Sequence, residues 1–398
     1  GFDALFSNTT GTTNSAHGSY ALYTNTTGGY NAAFGGEALR LNETASFNAA
    51  FGAAALYANT TGASNTAVGR SALYANTTGA NNTSVGAYTL DANTTGVQNT
   101  ALGSGALGTN TTGGNNVAVG DGAIGLNTTG ATNIAVGRQA LYNNTTADRN
   151  VAVGHNVLLA NTTGASNAAV GMEAMLTNTT GAQNAAFGNG SLRANTTASY
   201  NTAYAGSSLY SNTTGANNTA LGYYSLFANT TGGNNVGVGY GALDANTTGN
   251  NNTSVGYSSL GAATTASGNT AVGRDAGKTI VTGTANTAVG DSALATSTAS
   301  SNTAIGTEAL YSDTTGAQNT AVGAYALDAN TSSHGNTAVG YNSLTANTGE
   351  QNTAVGLGSL DANVGGAYNN AFGYNALGAN TSGTDNCAFG HAALDANT

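Results

Sequence analysis

The side chains that could act as a nucleophile, a general base or a metal ligand are few in this chain and far apart. The histidines are His17, His155, His334 and His391, and the single cysteine is Cys387. Nucleophilic catalysis and zinc binding both need such groups within a few ångströms of one another, whereas these are scattered along the chain and the acidic residues recur singly. We therefore expect no catalytic centre, no metal site and no cofactor, and we interpret Cys387 as a small core residue.

The composition excludes several further classes of function. The chain has 398 residues, of which 59 are glycine and 6% are charged, and its net charge is −10. Seven basic residues without a cluster do not provide the positive surface that nucleic acids require, and anionic membranes are disfavoured for the same reason. No apolar run approaches the length of a membrane-spanning helix. We expect no nucleic-acid partner and no membrane insertion.

A 17-residue repeat runs through the chain and determines where every candidate residue lies. The motif Asn-Thr-Ala-Val-Gly at residues 65–69 recurs 17 residues later as Asn-Thr-Ser-Val-Gly. Its asparagine occurs in 23 copies between Asn14 and Asn386, and two of the steps are 16 residues long. A row of leucines follows the valine by five residues and is broken at Gly277. An internal period of this kind is typical of solenoids.

Each repeat is predicted to form one coil of a parallel β-roll. Glycine, asparagine and threonine fill most of the period and are poor helix formers. We expect short strands at residues 65–68 and 71–74, separated by a glycine turn and followed by a turn at residues 76–79. The predicted fold class is all-β, a β-solenoid (parallel β-roll) of about 23–24 coils. Residues 1–398 would form a single continuous solenoid on the order of 110 Å long, with irregular coils near residues 261–301.

Comparison of the copies assigns a structural role to each row. Period-two alternation places the threonine and valine of the motif on one side of the strand and the alanine on the other. We predict that the valine and leucine rows line the core, that the small row packs against another surface, and that the asparagines form a ladder of stacked amides. The core rows include Val68, Val85, Leu73 and Leu90; the packed small row includes Ala67, Ala101 and Ala118; the ladder includes Asn65, Asn82, Asn99, Asn116 and Asn133.

The turn sequence Asn-Thr-Thr-Gly supplies N-glycosylation sequons in most repeats. In a chain that passed through a glycosylation pathway, these asparagines would carry sugars along one edge. Alternatively, asparagine and threonine cap the turns through hydrogen bonds to the backbone. The loss of the sequon at Ala263 and Asp313 favours this structural role. The candidate glycosylation sites are Asn8, Asn25, Asn59, Asn76, Asn93 and Asn110.

The motif Asn116-Val117-Ala118-Val119-Gly120 and its copies resemble the head repeats of trimeric autotransporter adhesins and related tail-fibre repeat proteins. Those repeats carry an Asn-Ser-x-Ala-Ile-Gly core and fold as a parallel β-roll, with three chains packed around one axis. The resemblance covers essentially the whole chain, although the family heads usually repeat at a shorter period. It implies an extracellular or virion-surface fibre used for adhesion or assembly, in which the small row would pack between chains.

We favour an extracellular structural fibre or filament subunit, adhesive or assembly-forming, built from stacked coils that associate end to end or laterally. Its partners would be copies of itself, as a trimer or a filament, and a host or surface receptor or glycan. Neither end of the sequence has a recognisable cap, and we expect a segment of a longer fibre or end-to-end joining. The expected location is extracellular, at the cell surface or on a virion.

Two other functions have some support in β-solenoids of this kind. An ice-binding β-roll is the alternative, because one plant antifreeze β-roll has a similar Asn-x-Val-x-Gly repeat. Against it, the pair Thr77-Thr78 is predicted to lie in a turn and not on a flat strand. A polysaccharide-cleaving β-helix would need acidic or basic residues clustered on one face, which this sequence lacks. We therefore do not expect an enzyme.

Overall fold

The computed structural model describes residues 1–397, and this part of the chain is an all-β parallel β-solenoid without helices. It makes about 22 turns of about 17 residues each. The fold class predicted from the repeat is confirmed. The chain divides into two compact units, Gly1–Tyr200 and Asn201–Thr398.

Each unit contains one three-residue strand per repeat. In unit 1 the strands are β1 (Ser15–His17), β2 (Ala32–Phe34), β3 (Ala49–Phe51), β4 (Thr66–Val68), β5 (Thr83–Val85), β6 (Thr100–Leu102), β7 (Val117–Val119), β8 (Ile134–Val136), β9 (Val151–Val153), β10 (Ala168–Val170) and β11 (Ala185–Phe187). In unit 2 they are β12 (Thr202–Tyr204), β13 (Thr219–Leu221), β14 (Val236–Val238), β15 (Thr253–Val255), β16 (Thr270–Val272), β17 (Thr287–Val289), β18 (Thr303–Ile305), β19 (Thr320–Val322), β20 (Thr337–Val339), β21 (Thr353–Val355), β22 (Asn370–Phe372) and β23 (Cys387–Phe389).

Within each unit the strands form a parallel sheet, and every strand pairs with the equivalent strand of the next repeat. Thr66 of β4, for example, aligns with Thr83 of β5, and unit 2 follows the same one-repeat register. The N–H of Thr66 donates to the carbonyl of Asn82 in the following turn (2.9 Å), and the N–H of Gly69 donates to the carbonyl of Phe51 in the preceding turn (2.8 Å). Equivalent residues are therefore stacked in continuous rows.

The second predicted strand, at residues 71–74, is instead a curved turn segment. Ser71 and Leu73 have φ of 54° and 53°, in the left-handed region that a strand cannot adopt. The segment still bonds to its neighbours, because the N–H of Leu73 donates to the carbonyl of Thr89 (3.0 Å) and that of Ser71 to the carbonyl of Ala53 (3.0 Å). Each turn thus has one extended side and one tightly curved side.

The core lies inside each turn, between the strand and the curved segment. Ala67 and Leu73 are fully buried, whereas Val68 is 37% exposed. A Cβ added to Gly237, which occupies the small-row position, would lie 3.4 Å from Cγ of Leu226 in the preceding turn. The small row therefore packs against the leucine row of its own chain, and the narrow interior admits only small residues there.

Two interpretations of these rows are therefore wrong. Val68 and Val85 do not line the core, because each strand turns its middle residue inward and its flanking residues outward. The small row does not need a second chain against it, since its own coil already buries it. This applies to Ala67, Ala101 and Ala118, which are fully buried together with Leu73 and Leu90 of the leucine row.

The repeats near residues 261–301 keep the same register as the rest of unit 2, and the strands β16, β17 and β18 pair in order. Gly277 replaces the row leucine, with φ of 60°. A Cβ there would lie 3.0 Å from Cδ1 of Ile280 and 3.1 Å from Cδ2 of Leu260. Ile280 is fully buried, so it fills the space that the missing leucine leaves.

Candidate functional site

The most regular surface of each unit is the outer face of the sheet, which consists of the first and third residues of every strand. These residues are Thr66 and Val68 in β4, and Thr270 and Val272 in β16. None of the outward positions in the strands β1 to β23 is Asp, Glu, Lys or Arg. The outer face is therefore an uncharged array, rich in hydroxyl and methyl groups, that repeats about every 4.8 Å.

Apolar side chains on the outer face are exposed to solvent. The exposed fraction is 38% for Val272, 47% for Leu221 and 39% for Ile305. A strand of three residues is about 10 Å long, so eleven or twelve strands give each unit an outer face of roughly 500–600 Å². About half of the strands begin with threonine, so the apolar part of this face is the row of third residues. Exposed apolar side chains that adjoin one another on a soluble protein commonly mark an interaction surface.

Aromatic residues on the outer face stack along the same row. The rings of Phe34 and Phe51 are 5.1 Å apart and nearly parallel, with an interplanar angle of 6°. At the other end of the sequence, Phe372 and Phe389 are also 5.1 Å apart. The spacing of equivalent residues in a parallel sheet is close to a comfortable ring-stacking distance. Aromatic residues therefore replace valine without disturbing the register.

The first asparagine ladder lies inside the turn, at the start of each strand. Oδ1 of Asn65 accepts the backbone N–H of Asn82 (3.0 Å) and its side-chain amide (3.2 Å). The side-chain amide of Asn82 also donates to the carbonyl of Gly96 (2.9 Å). The carboxamides thus link each turn to the next and satisfy backbone groups in the interior. The members named from the sequence are all fully buried: Asn65, Asn82, Asn99, Asn116 and Asn133.

The sequon asparagines form a second buried ladder. Nδ2 of Asn76 donates to Oδ1 of Asn59 in the preceding turn (2.8 Å) and to the carbonyl of Gly79 (2.9 Å). A sugar on Nδ2 would displace one of these hydrogen bonds and would need space that the interior lacks. The interpretation of these residues as glycosylation sites is therefore wrong for the folded chain. Asn25, Asn59, Asn76, Asn93 and Asn110 are fully buried, and the partly buried Asn8 donates to the carbonyl of Gly11 (3.0 Å).

In unit 2, other residue types replace asparagine at some positions of the second ladder. Ala263 and Ile280 take the asparagine position in two turns, and the buried Asp313 takes it two turns later. Its carboxylate accepts hydrogen bonds from the hydroxyl of Ser297 (2.8 Å) and the amide of Asn330 (3.0 Å). Burial raises the pKa of Asp313 to about 6, although these hydrogen bonds act in the opposite direction.

The residues considered for catalysis lie far from one another or on the surface. His17 stacks on Phe34 at 4.7 Å, and His391 stacks on Tyr374 at 5.1 Å. Cys387 is exposed and does not lie in the core, because it occupies an outward position of β23. Within residues 1–397, no three His, Cys, Asp or Glu side chains lie close enough together to hold a metal ion.

Sequence reasoning missed the outward direction of the valine row, although a signal for it was present. This row contains His17, Phe34 and Tyr204, whereas the leucine row, which would lie across the core from it, keeps Leu22, Leu39 and Leu209 in the same turns. A core position that gained so much volume would need compensating losses in the residues opposite it. The absence of such losses indicates that the row faces solvent.

No protein-family model matches the chain, and no curated protein matches it. The described residues include no helix long and apolar enough to cross a membrane.

Proposed function

We propose that this protein is an extracellular structural subunit of a fibre or filament, whose copies associate laterally through the outer face. The exposed, uncharged outer face is the observation that carries this proposal. Each unit offers roughly 500–600 Å² of it, which approaches the roughly 800 Å² per partner of a standard protein interface. Burial of the exposed valine, leucine and phenylalanine side chains would supply the free energy of association.

A second copy is the occupant that suits this face best. Two uncharged faces meet without desolvating or opposing charges, and equal row spacing allows the side chains of two copies to interdigitate. The ion pairs lie elsewhere, on the turns, as with Arg40 and Glu37 in unit 1 and Arg274 and Asp291 in unit 2. The charges therefore maintain solubility without interrupting the proposed contact.

The resemblance of the repeats to those of adhesins and tail fibres supports the extracellular location. It also supports adhesion to a receptor or glycan as the use of the fibre. The internal ladders suit such a role, because the turns within each unit are hydrogen-bonded to one another and few backbone groups remain open to proteases.

Lysine on the outer face tests the proposed contact. We expect the wild-type chain to form laterally paired or filamentous species in electron micrographs and in sedimentation velocity. The double variant Leu221→Lys/Val272→Lys should shift association to at least roughly tenfold higher concentration, because each lysine must be desolvated on contact. The matched control is Thr214→Lys/Thr265→Lys, which adds the same charge at exposed turn positions. A wild-type chain that stays monomeric at every attainable concentration would refute the proposal.

Ice binding is a second candidate, and the orientation of the strands favours it. Thr270 and Thr287 lie on the outer face beside Val272 and Val289, so rows of threonine do occupy a flat strand surface. A regular array of hydroxyl and methyl groups can hold an ordered layer of water. Thermal hysteresis that disappears in the Leu221→Lys/Val272→Lys variant would support this candidate, and an absence of hysteresis in the wild type would exclude it.

A further inference from the structure

Asp244 is an isolated negative charge on the curved side of unit 2. It is the only charged residue between positions 201 and 273 of the sequence, and its carboxylate has no ion-pair partner within residues 1–397. The side chain is half-buried, and this burial raises the pKa of Asp244, while hydrogen bonds from the backbone N–H groups of Ala245 and of Asp244 itself oppose the rise. A carboxylate that is partly desolvated and lacks a counterion favours a bound cation.

Aromatic rings lie on one side of this carboxylate. Phe227 occupies the same row as Asp244 in the preceding turn, and Tyr224 meets Phe227 edge to face, with ring centroids 4.9 Å apart and an interplanar angle of 80°. Tyr223 and Tyr240 extend the cluster, at 4.1 Å and 6.4 Å from Tyr224. Rings at such different orientations present both faces and edges to a ligand, so the cluster can form part of an aromatic cage.

Two glycines leave room beside the rings. Gly241 follows Tyr224 in its row, and Gly261 follows Asp244 in its row. A Cβ on Gly241 would lie 3.8 Å from Oδ2 of Asp244, and one on Gly261 would lie 3.5 Å from Oδ1. The resulting open cavity is about 270 Å³ in volume and is lined by Tyr224, Phe227 and Asp244.

We propose that Tyr224, Phe227 and Asp244 form a binding site for a quaternary ammonium group. The methyl groups of such a cation pack against aromatic rings, and its diffuse charge is attracted both by the ring faces and by the carboxylate. A metal ion or a primary ammonium group would lose strongly held water without gaining enough oxygen ligands, because two of the three lining side chains are aromatic. The site lies on the curved side of the turn and is independent of the outer face.

Choline is the probe for the site. Saturation-transfer NMR on the full-length chain should show contact with the choline methyl groups. The neutral isostere 3,3-dimethylbutan-1-ol should bind at least roughly fivefold more weakly, because it has the same shape but lacks the charge. Equal binding of the two compounds, or no binding of choline, would overturn the proposal.

Variants then locate the site. Asp244→Asn and Tyr224→Ser should each raise the dissociation constant for choline by roughly five- to thirtyfold. Serine is compatible with position 224, because Ser207 in the preceding turn and Ser258 two turns later adopt the same left-handed backbone in this row. The matched control is Asp361→Asn, which removes a carboxylate of the same row whose pKa is also raised by burial. Equal weakening by Asp361→Asn, or none by Asp244→Asn, would contradict the assignment, and thermal unfolding monitors the fold of each variant.

The quaternary ammonium group could belong to a free small molecule or to a lipid headgroup. Sedimentation with phosphatidylcholine vesicles, compared with phosphatidylglycerol vesicles, separates these sources. Binding of choline together with phosphatidylcholine vesicles supports the site with a headgroup ligand, and binding of choline without vesicles supports it with a free cation. Absence of choline binding overturns the proposal, whether or not phosphatidylcholine vesicles bind.

Discussion

At the scale of single residues, most turns hold a buried leucine in a left-handed backbone conformation. The φ angle is 53° at Leu73 and 49° at Leu90, which costs roughly 1–2 kcal/mol for a residue with a Cβ. Burial of the side chain gives back roughly 1.5–3 kcal/mol, and the N–H of Leu73 is paired with the carbonyl of Thr89. Packing therefore outweighs backbone strain, and where Gly277 relieves that strain, Ile280 restores the lost volume.

The carboxyl group of Asp313 makes stability depend on pH. Burial raises its pKa to about 6 from an ordinary value of 3.8. Between these two pH values, Asp313 is protonated in the folded chain and ionised in the unfolded chain. The stabilisation is therefore fully present below about pH 4 and is lost as the pH rises through about 6. Asp313→Asn removes the buried charge and keeps Oδ1 as the acceptor for Asn330, while its Nδ2 would donate to the hydroxyl of Ser297 in place of accepting from it.

We expect Asp313→Asn to raise the free energy of unfolding by about 1–2 kcal/mol at pH 7 and to change it little at pH 4. Denaturant unfolding of both chains across this pH range measures the difference. Asp385→Asn is the control, because that carboxylate is exposed. A variant that is less stable than the wild type at pH 7 would show that the carboxylate is better accommodated than burial indicates.

Only sequons whose asparagine side chain is exposed should be glycosylated in the folded chain. Asn217 and Asn251 also begin sequons, of the form Asn-Asn-Thr, and their side chains are exposed, whereas Asn76 is fully buried. After expression in a glycosylating secretory pathway, we expect the folded chain to carry sugar at Asn217 or Asn251 and none at Asn76. Peptide mass spectrometry before and after glycosidase treatment measures this. A glycan at Asn76 in folded material would contradict the second ladder.

At the scale of elements, hydrogen bonds from asparagine side chains supplement the few backbone hydrogen bonds of the short strands. A three-residue strand makes few ladder hydrogen bonds, and the two asparagine rows extend that bonding into the turns. Asn99 illustrates this, because its Oδ1 accepts the N–H of Asn116 (3.0 Å) and its Nδ2 donates to the carbonyl of Gly113 (2.9 Å). Nδ2 of Asn99 also donates to Oδ1 of Asn82 in the preceding turn (3.2 Å), so this side chain connects its turn to both neighbouring turns.

Loss of one ladder amide should be costly, since it leaves a buried backbone N–H without its partner. We expect Asn99→Ala to destabilise the turn by about 1–3 kcal/mol, from the orphaned N–H of Asn116. The carbonyl of Gly113 keeps its hydrogen bond from Nδ2 of Asn110 (2.9 Å). Gln98→Ala is the matched control next to it, because Gln98 is exposed and Ala285 adopts the same left-handed backbone at the equivalent position. Amide hydrogen exchange around residues 96–117 measures the effect. Similar exchange in both variants would mean that the ladder contributes little.

At the scale of the whole molecule, the chain obtains its stability from repetition and not from charge. Only 6% of the residues are charged, and ion pairs such as Arg40–Glu37 and Arg193–Glu173 are partly exposed. Exposed ion pairs contribute little. Each turn is stabilised by contacts with its neighbours, as expected for a solenoid.

Salt should therefore have little effect on thermal stability. We expect the unfolding temperature to change by less than about 2 °C between low salt and about 1 M sodium chloride. Circular dichroism melting at a fixed pH measures this. A steep fall of the unfolding temperature with increasing salt would show that the few ion pairs contribute much more to the stability than their exposure indicates.

The amino-acid sequence by itself determined the 17-residue period, the all-β solenoid, the burial of Leu73 and Leu90 and the ladder through Asn65. These follow from the period alone, because in-register stacking places equivalent residues above one another. The tertiary structure decided which side of the strand is inside, since alternation separates Ala67 from Val68 but assigns neither to the interior. It also decided the curvature at residues 71–74 and the burial of Asn76, because left-handed backbone and narrow packing depend on the adjacent turns.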